Sequence, residues 1–415
     1  MIEYNKFELK NGLKIIHHFD HTTPMVVVNT TYDVGAKDEN PEKTGFAHLF
    51  EHLMFGGSKN IPNFDDPLQK AGGSSNAFTS NDLTNYYCIL PKENVETALW
   101  LESDRMLSLA FTEKSLEVQR NVVIEEFKQR YLNQPYGDVW MELRKLIYKK
   151  HPYQWATIGE KVEHIENATM EDVKSFFFNH YAPNNAILTI AGNISLDETK
   201  EKVEKWYNDI PRREVVKRNL PQEPEQDAFR SKIIERNVPN NAFYYAFNMP
   251  GKMKSNYAEM DLISDILGRG KSSRLYNQLK RKEGLVSEIN SFVNGAQEKG
   301  LLIISGFLSD GVSFEEVDQL IWQEINKLKK ELLQKEELLK IKNKFITTKI
   351  FNEANILPKA LELSANELIG DIELTNTESE IYQAVSEQNI FDAAKHYLTR
   401  NNCSRLLVKS INDDK

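Results

Sequence analysis

Cysteine is almost missing from this chain of 415 residues: only Cys88 and Cys403 occur. They lie far apart and form no Cys-x-x-Cys pair, so a disulfide framework and a thiolate zinc site are both excluded by count. No stretch approaches the roughly 18 consecutive apolar residues that a membrane-spanning helix needs. The opening "MIEYNKFELKNGLKII" lacks the charged start, apolar run and small-residue cleavage site of a secretory signal. A cytoplasmic location is therefore expected, or a periplasmic one if the chain is a processed form. Positive charge is also in deficit, with 52 Lys and Arg against 61 Asp and Glu, a net −9. Phosphate binding needs a basic patch, so nucleic acid is not expected as the main partner. What is present, 40% hydrophobic and 27% charged residues, is ordinary for a globular protein. Length is more informative, because 415 residues exceed one ordinary core and suggest two domains of about 200 residues each.

Alternation in "LKIIHHF" and "MVVVNTTYDV" predicts strands, while "KENVETALWLESDRML" and "SLEVQRNVVIEEFKQRYL" carry helical spacing. Strands and helices mixed throughout suggest layered α/β or α+β packing. An internal echo refines this. "HYAPNNAILTIAGNI" at 180–194 and "HYLTRNNCSRLLVKSI" at 396–411 share His-Tyr and Asn-Asn before an apolar strand. Their tyrosines, Tyr181 and Tyr397, are 216 residues apart (397 − 181), about half the chain. Between the halves runs "IPRREVVKRNLPQEPEQDAF", charged and proline-containing, a linker at about 211–230. The expected plan is two similar domains, 1–215 and 231–415, joined by that linker.

The densest chemistry lies in "GFAHLFEHLMFGG", Gly45 to Gly57. Thr44 is the expected N-cap and Gly56-Gly57 the expected stop. Phe46, Leu49, Phe50, Leu53 and Met54 repeat at three and four residues and form one apolar stripe. His48, Glu51, His52 and Phe55 form another. Residues four apart on a helix stand about 5–6 Å apart at Cβ, so two imidazoles can close on one metal ion. Glu51 shares their face. Two histidines and a glutamate on a helix with an apolar opposite face would cost several kcal/mol to desolvate without a partner. A metal provides one, and His-x-x-Glu-His is the inverted zinc-peptidase pattern. His17 and His21 also stand four apart, but "IIHHFDHTTP" reads as a strand entering a turn, where four residues span about 13 Å. Those histidines are expected to diverge on the surface.

Catalytic zinc usually takes three protein ligands and one water. "QRNVVIEEFKQRY" offers Glu125 and Glu126, which point about 100° apart on a helix. Spacing alone does not choose between them.

His-x-x-Glu-His near the N-terminus, followed 70–80 residues later by Arg-x-Val-Val-x-x-Glu, resembles the pitrilysin family of metallopeptidases. "NQPYGD", "HPYQWATIGE" and "YAPNNAILTIAGNI" are similar to family signatures as well, and the likeness spans essentially the whole chain. It is closest in kind to the short two-domain bacterial form, similar to the beta subunit of the mitochondrial processing peptidase. Many members carry glutamate before the motif arginine, where this chain has Gln119. That position is not a ligand.

The resemblance implies an α+β fold of two homologous domains, each a mostly antiparallel sheet flanked by helices. It implies one Zn²⁺ per chain held by His48, His52 and Glu126, with Glu51 as general base in the N-terminal domain. It matches Asn76, Ala77, Phe78 and Thr79 to the edge strand on which a peptide substrate adds. The implied activity is hydrolysis of short unfolded peptides in a chamber formed by two-domain subunits. The C-terminal counterpart of the histidine helix, "AEMDLISDILGRGKSS", has no histidine and so no metal site. "GRGKSS" does not make a phosphate loop either, because the required first glycine is Asp265. Active members carry an Arg and a Tyr seven residues apart in this half or in a partner. Here those positions hold Lys280 and Ser287, with Arg281 one residue out of register. A homologous partner subunit supplying the pair is therefore expected, with a homodimer as the alternative. A non-catalytic subunit is the competing function, although Glu51 has no purpose in a scaffold.

Overall fold

The computed structural model describes residues 1–216 and 218–411, so Lys217 of the linker lies outside the described residues. The chain forms two compact units. The first contains Met1–Gln129, Trp155–Leu220 and Ile350–Thr377; the second contains Arg130–Gln154, Pro221–Lys349 and Glu378–Lys415. The passage at Leu220/Pro221 falls within the 211–230 segment, but each unit also takes in one segment from the other side of it. Among the described residues no helix is long and apolar enough to cross a membrane.

The first unit is built on six strands: β1 (Asn5–Glu8), β2 (Lys14–Phe19), β3 (Met25–Tyr32), β4 (Ser74–Thr79), β5 (Thr84–Pro91) and β6 (Ala186–Gly192). Their order is β1-β2-β6-β3-β5-β4. Only β2 and β6 run parallel; the other neighbours are antiparallel. β3 and β6 are buried almost throughout because the sheet is covered on both faces. The polar run Asn29-Thr30-Thr31 shows how a strand of period two serves both. Asn29 and Thr31 donate to Ser364 of the Ile356–Leu368 helix at 2.9 and 3.0 Å. Thr30 points the other way and donates to Glu102 of the Val95–Leu107 helix at 3.0 Å. Glu102 also pairs with Arg105, whose buried guanidinium lies 4.4 Å over Phe64 and 4.5 Å over Tyr86. Three aromatic and carboxylate partners thus compensate a charge taken out of water.

The second unit holds β7 (Arg230–Arg236), β8 (Ala242–Met249), β9 (Val286–Asn294), β10 (Gly300–Leu308) and β11 (Cys403–Ser410) in the order β7-β11-β8-β10-β9. Again one neighbouring pair, β7 and β11, is parallel and the rest antiparallel. This repeats β2-β6-β3-β5-β4 strand for strand. The sequence echo falls on β6 and β11, the equivalent positions. In each copy the second asparagine ties the preceding helix to the sheet. Asn185 donates to the carbonyls of His180 and Asp33, and Asn402 to those of Tyr397 and Asn248, at 2.8–3.1 Å. The fold is two α+β domains of one plan, each a mixed, mostly antiparallel sheet with flanking helices.

His17 departs from its expected place. It lies on β2 with 1% of its surface exposed, and its Nε2 meets the Ile194 carbonyl at 2.8 Å. Burial lowers its pKa, so it is a neutral core histidine held by a backbone acceptor. Of these two histidines, His21 alone is exposed. Alternation placed His17 on one face of the strand, but not the knowledge that both faces are covered.

Candidate metal centre

The helix α1 spans Phe46–Leu53, and Phe46, Leu49, Phe50 and Leu53 are buried as the stripe predicts. Its start differs from expectation. Thr44 does not cap it, because the Thr44 hydroxyl is committed elsewhere, meeting His164 Nδ1 and accepting from the Glu160 N–H, both at 2.8 Å. Gly45 occupies the N-cap with φ +91°, and a Cβ there would sit 2.5 Å from the Ile158 carbonyl oxygen, so only glycine fits. The cap is supplied from a distance by Glu39. Its two carboxylate oxygens accept the Gly45 and Ala47 N–H groups, each at 2.9 Å. Acceptor oxygens placed at a helix N-terminus satisfy backbone donors that have no partner inside the helix.

Burial raises the Glu39 pKa from 4.5 to about 8, with nearby Asp38 adding to the rise and the Gly45 and Ala47 N–H groups opposing it. The native carboxyl thus holds its proton where the unfolded chain has lost it. Stability contributed by this group must then fall as pH rises from about 4.5 to about 8, by at most about 1.4 kcal/mol per pH unit. Glu39→Gln removes that dependence while retaining an acceptor. Urea unfolding midpoints at several pH values are expected to show the variant gaining on the wild type as pH rises towards 8. Parallel midpoints across the range would contradict it.

On the half-buried side of α1, His48 and His52 stand with ring centroids 4.9 Å apart and planes at 82°. The Glu113–Phe127 helix packs against α1. Thr112 caps it by accepting the Ser115 N–H at 3.1 Å, and Val123, Ile124 and Phe127 are buried. That orientation settles which of the adjacent glutamates faces the histidines. Glu126 Oε2 lies 3.6 Å from His48 Nε2 and 3.4 Å from His52 Nε2. Glu125 is 61% exposed and pairs with Lys128 at 2.8 Å. Arg120 donates to the Ala168 carbonyl at 2.5 Å.

These distances discriminate between two ways of holding the three groups together. A direct N–H···O hydrogen bond spans about 2.7–3.2 Å. Ligands at 2.0–2.2 Å around a tetrahedral zinc ion lie roughly 3.3–3.6 Å from one another. The two histidine–glutamate separations match the second arrangement, and one donor atom from each of the three residues falls within 4.8 Å of the others. The donor set of two imidazoles and one carboxylate also fits zinc. Held by these three, a zinc ion would keep a fourth position for water.

β4 ends the sheet order, so among the described residues no strand pairs with its outer edge. Ser74, Asn76 and Phe78 are exposed along one face, with Phe78 at 41%. Ser75, Ala77 and Thr79 are half-covered on the other. Thr79 donates from its hydroxyl to Glu51 Oε2 at 2.6 Å. The strand expected to receive substrate therefore touches the expected base directly. In the second unit, Lys280 donates from its ammonium to the Ser287 carbonyl, which is how the two positions expected to carry an Arg/Tyr pair are occupied here.

Glu39 and the Thr79 side chain are the two contributors that sequence reasoning missed. Glu39 carries no periodic signal, and Thr79 was read only as part of a strand backbone.

Residues 14–160 match the insulinase domain of peptidase family M16, and residues 167–345 match the domain described as the peptidase M16 inactive domain. His48, Glu51, His52 and Glu126 all fall within the first match. The zinc protease PqqE of Helicobacter pylori is 30% identical over 348 residues, 82% of this chain and 78% of its own length. A crystal structure of a protease from Helicobacter pylori superposes with a TM-score of 0.92 at 27% identity, covering 99% of this chain and 100% of the other. A Pseudomonas fluorescens structure described as a peptidase M16 inactive domain shares the fold, with a TM-score of 0.89 at 18% identity over 99% and 98% of the two chains.

Proposed function

The chain belongs to the insulinase (M16) peptidase family, and from that premise we propose that it is a zinc-dependent endopeptidase acting on short, unfolded peptides. The observation that carries this reading is the convergence of both imidazole Nε2 atoms on Glu126 Oε2, with Glu51 on the same helix face. His48, His52 and Glu126 hold the ion. When bound, zinc supplies a water of lowered pKa and an electrophile for the scissile carbonyl. Glu51 takes the proton from the attacking water and passes it to the leaving amine. The free edge of β4, Asn76 to Thr79, pairs with the peptide backbone as an added strand, which selects extended, unfolded segments rather than folded ones. Peptides are enclosed in a chamber formed by two-domain subunits.

Lys280 and Ser287 stand where active relatives are expected to carry Arg and Tyr, and neither can replace the planar guanidinium or the phenol. A homologous partner subunit supplies the pair, in preference to a homodimer. A purely non-catalytic subunit is disfavoured by Glu51, which a scaffold does not need.

The test is hydrolysis of an internally quenched unstructured peptide by the purified chain, alone and mixed with a homologous subunit that carries the Arg/Tyr pair. Cleavage is expected to vanish on chelation and return with zinc. Full activity of the chain alone would refute the partner requirement. Cleavage that survives complete metal removal would refute the zinc mechanism.

A further inference from the structure

Thr79 sits where one hydrogen bond joins two parts of the site that have separate duties. Its hydroxyl donates to Glu51 Oε2 at 2.6 Å, within the 2.5–2.7 Å typical of an O–H···O⁻ bond and stronger than a neutral one. A general base must be unprotonated, and an unprotonated carboxylate only accepts, so that role is consistent with the hydroxyl as donor. The anchor is rigid. Thr79 is the last residue of β4 and pairs with Thr84, which in turn donates to the Val34 carbonyl at 2.9 Å. Immediately beyond it, the Ser80 N–H donates to the Leu83 carbonyl at 2.9 Å, and the Ser80 hydroxyl accepts from the Asp82 and Leu83 N–H groups at 3.1 and 3.0 Å. The hairpin end is thereby locked on both sides of Thr79. Glu51, by contrast, reaches from α1 through three rotatable bonds and is only half-buried.

We propose that Thr79 is a positioning residue for Glu51, fixing the carboxylate that moves the proton while the Thr79 backbone belongs to the edge strand. The proposal rests on the endopeptidase reading and adds a specific link to it. A peptide added to β4 is registered against the same strand that holds the base. The position of the scissile bond and the position of the proton acceptor then share one frame. A misplacement of about 1 Å at such a group can cost 10²-fold in rate, which sets the scale of the expected effect.

Thr79→Val keeps the branched shape and removes the donor; Thr79→Ser keeps the donor and removes the methyl. Thr79→Val is expected to lower kcat about 10–100-fold, leaving KM and zinc content unchanged. Thr79→Ser is expected to restore most of kcat. In crystals of zinc-loaded Thr79→Val the Glu51 carboxylate is expected to leave its wild-type position, a readout that needs no turnover. The proposal fails if Thr79→Val turns over like the wild type, if the loss appears in KM alone, if Thr79→Ser is as slow as Thr79→Val, or if Glu51 stays in place. Failure of the endopeptidase reading looks different. There the wild type is inert even with its partner subunit, or Glu51→Gln still cleaves, and the crystallographic comparison alone then decides the role of Thr79.

Discussion

Glu51→Gln is expected to retain its zinc and to cleave peptides about 10²–10⁴-fold more slowly than the wild type, the range for loss of a general acid–base group. The substitution is nearly isosteric, and its amide oxygen can still accept from the Thr79 hydroxyl, so the contact seen at 2.6 Å has a counterpart in the variant. His48, His52 and Glu126 are untouched, so the metal stays. What disappears is the capacity to take a proton from water and return it to an amine. Zinc content by atomic emission and initial rates on a quenched peptide separate these effects. Wild-type cleavage by a zinc-loaded variant would remove Glu51 from the mechanism. Loss of zinc together with activity would show instead that Glu51 helps to build the site. This experiment also divides the two functional readings, because a scaffold subunit has no activity for the substitution to abolish.

The parts of this architecture that were legible in the sequence share a physical feature: they are periodic or local. The apolar stripe of α1 repeats at helical spacing, and burial of Phe46, Leu49, Phe50 and Leu53 follows. The Asn-Asn echo marks β6 and β11 because both copies need the same amide to tie a helix end to a strand. What stayed illegible depends on contacts that no helix or strand period predicts. Nothing local says that Glu39 caps α1, since its carboxylate reaches Gly45 and Ala47 through a loop. Thr44 had the right residue type for a cap, but its hydroxyl is engaged by Glu160 and His164, more than a hundred residues away. His17 looked like a surface residue because alternation does not reveal that helices cover both faces of the first sheet. The choice between Glu125 and Glu126 lay open for the same reason, and only the neighbouring resemblance spoke to it before the helix was placed.

The repeated sheet order separates what the fold needs from what the proposed site adds. Both units place a helix after an equivalent strand: α1 after β3, and the Tyr257–Leu267 helix after β8. In α1 one face is apolar and the other presents two imidazoles and a carboxylate. In the second helix the corresponding stretch is buried along Met260, Leu262, Ile263, Ile266 and Leu267 and offers no histidine. The second unit keeps the backbone plan without these side chains, so the proposed site is an addition made by a few residues. It follows that replacing those side chains should change function far more than stability.

Glu126→Gln provides the sharpest form of that expectation, with Glu125→Gln as its internal control. The two residues are adjacent, alike in chemistry and on one helix, yet only Glu126 faces the imidazoles, while Glu125 lies exposed beside Lys128. Removing the anionic ligand is expected to weaken zinc binding by more than the roughly 10–100-fold that loss of an outer-shell partner costs, and to abolish cleavage with it. Glu125→Gln should behave as wild type in both respects. Thermal unfolding with and without zinc reads the same difference without any substrate. A ligand present at a hundred times its Kd stabilises the native state by about 2.7 kcal/mol. Zinc should therefore raise the melting temperature of the wild type and of Glu125→Gln, and leave that of Glu126→Gln unmoved. The reverse pattern would mean that the helix presents its other face to the metal in solution. Equal shifts in all three proteins would place the zinc away from His48 and His52 altogether.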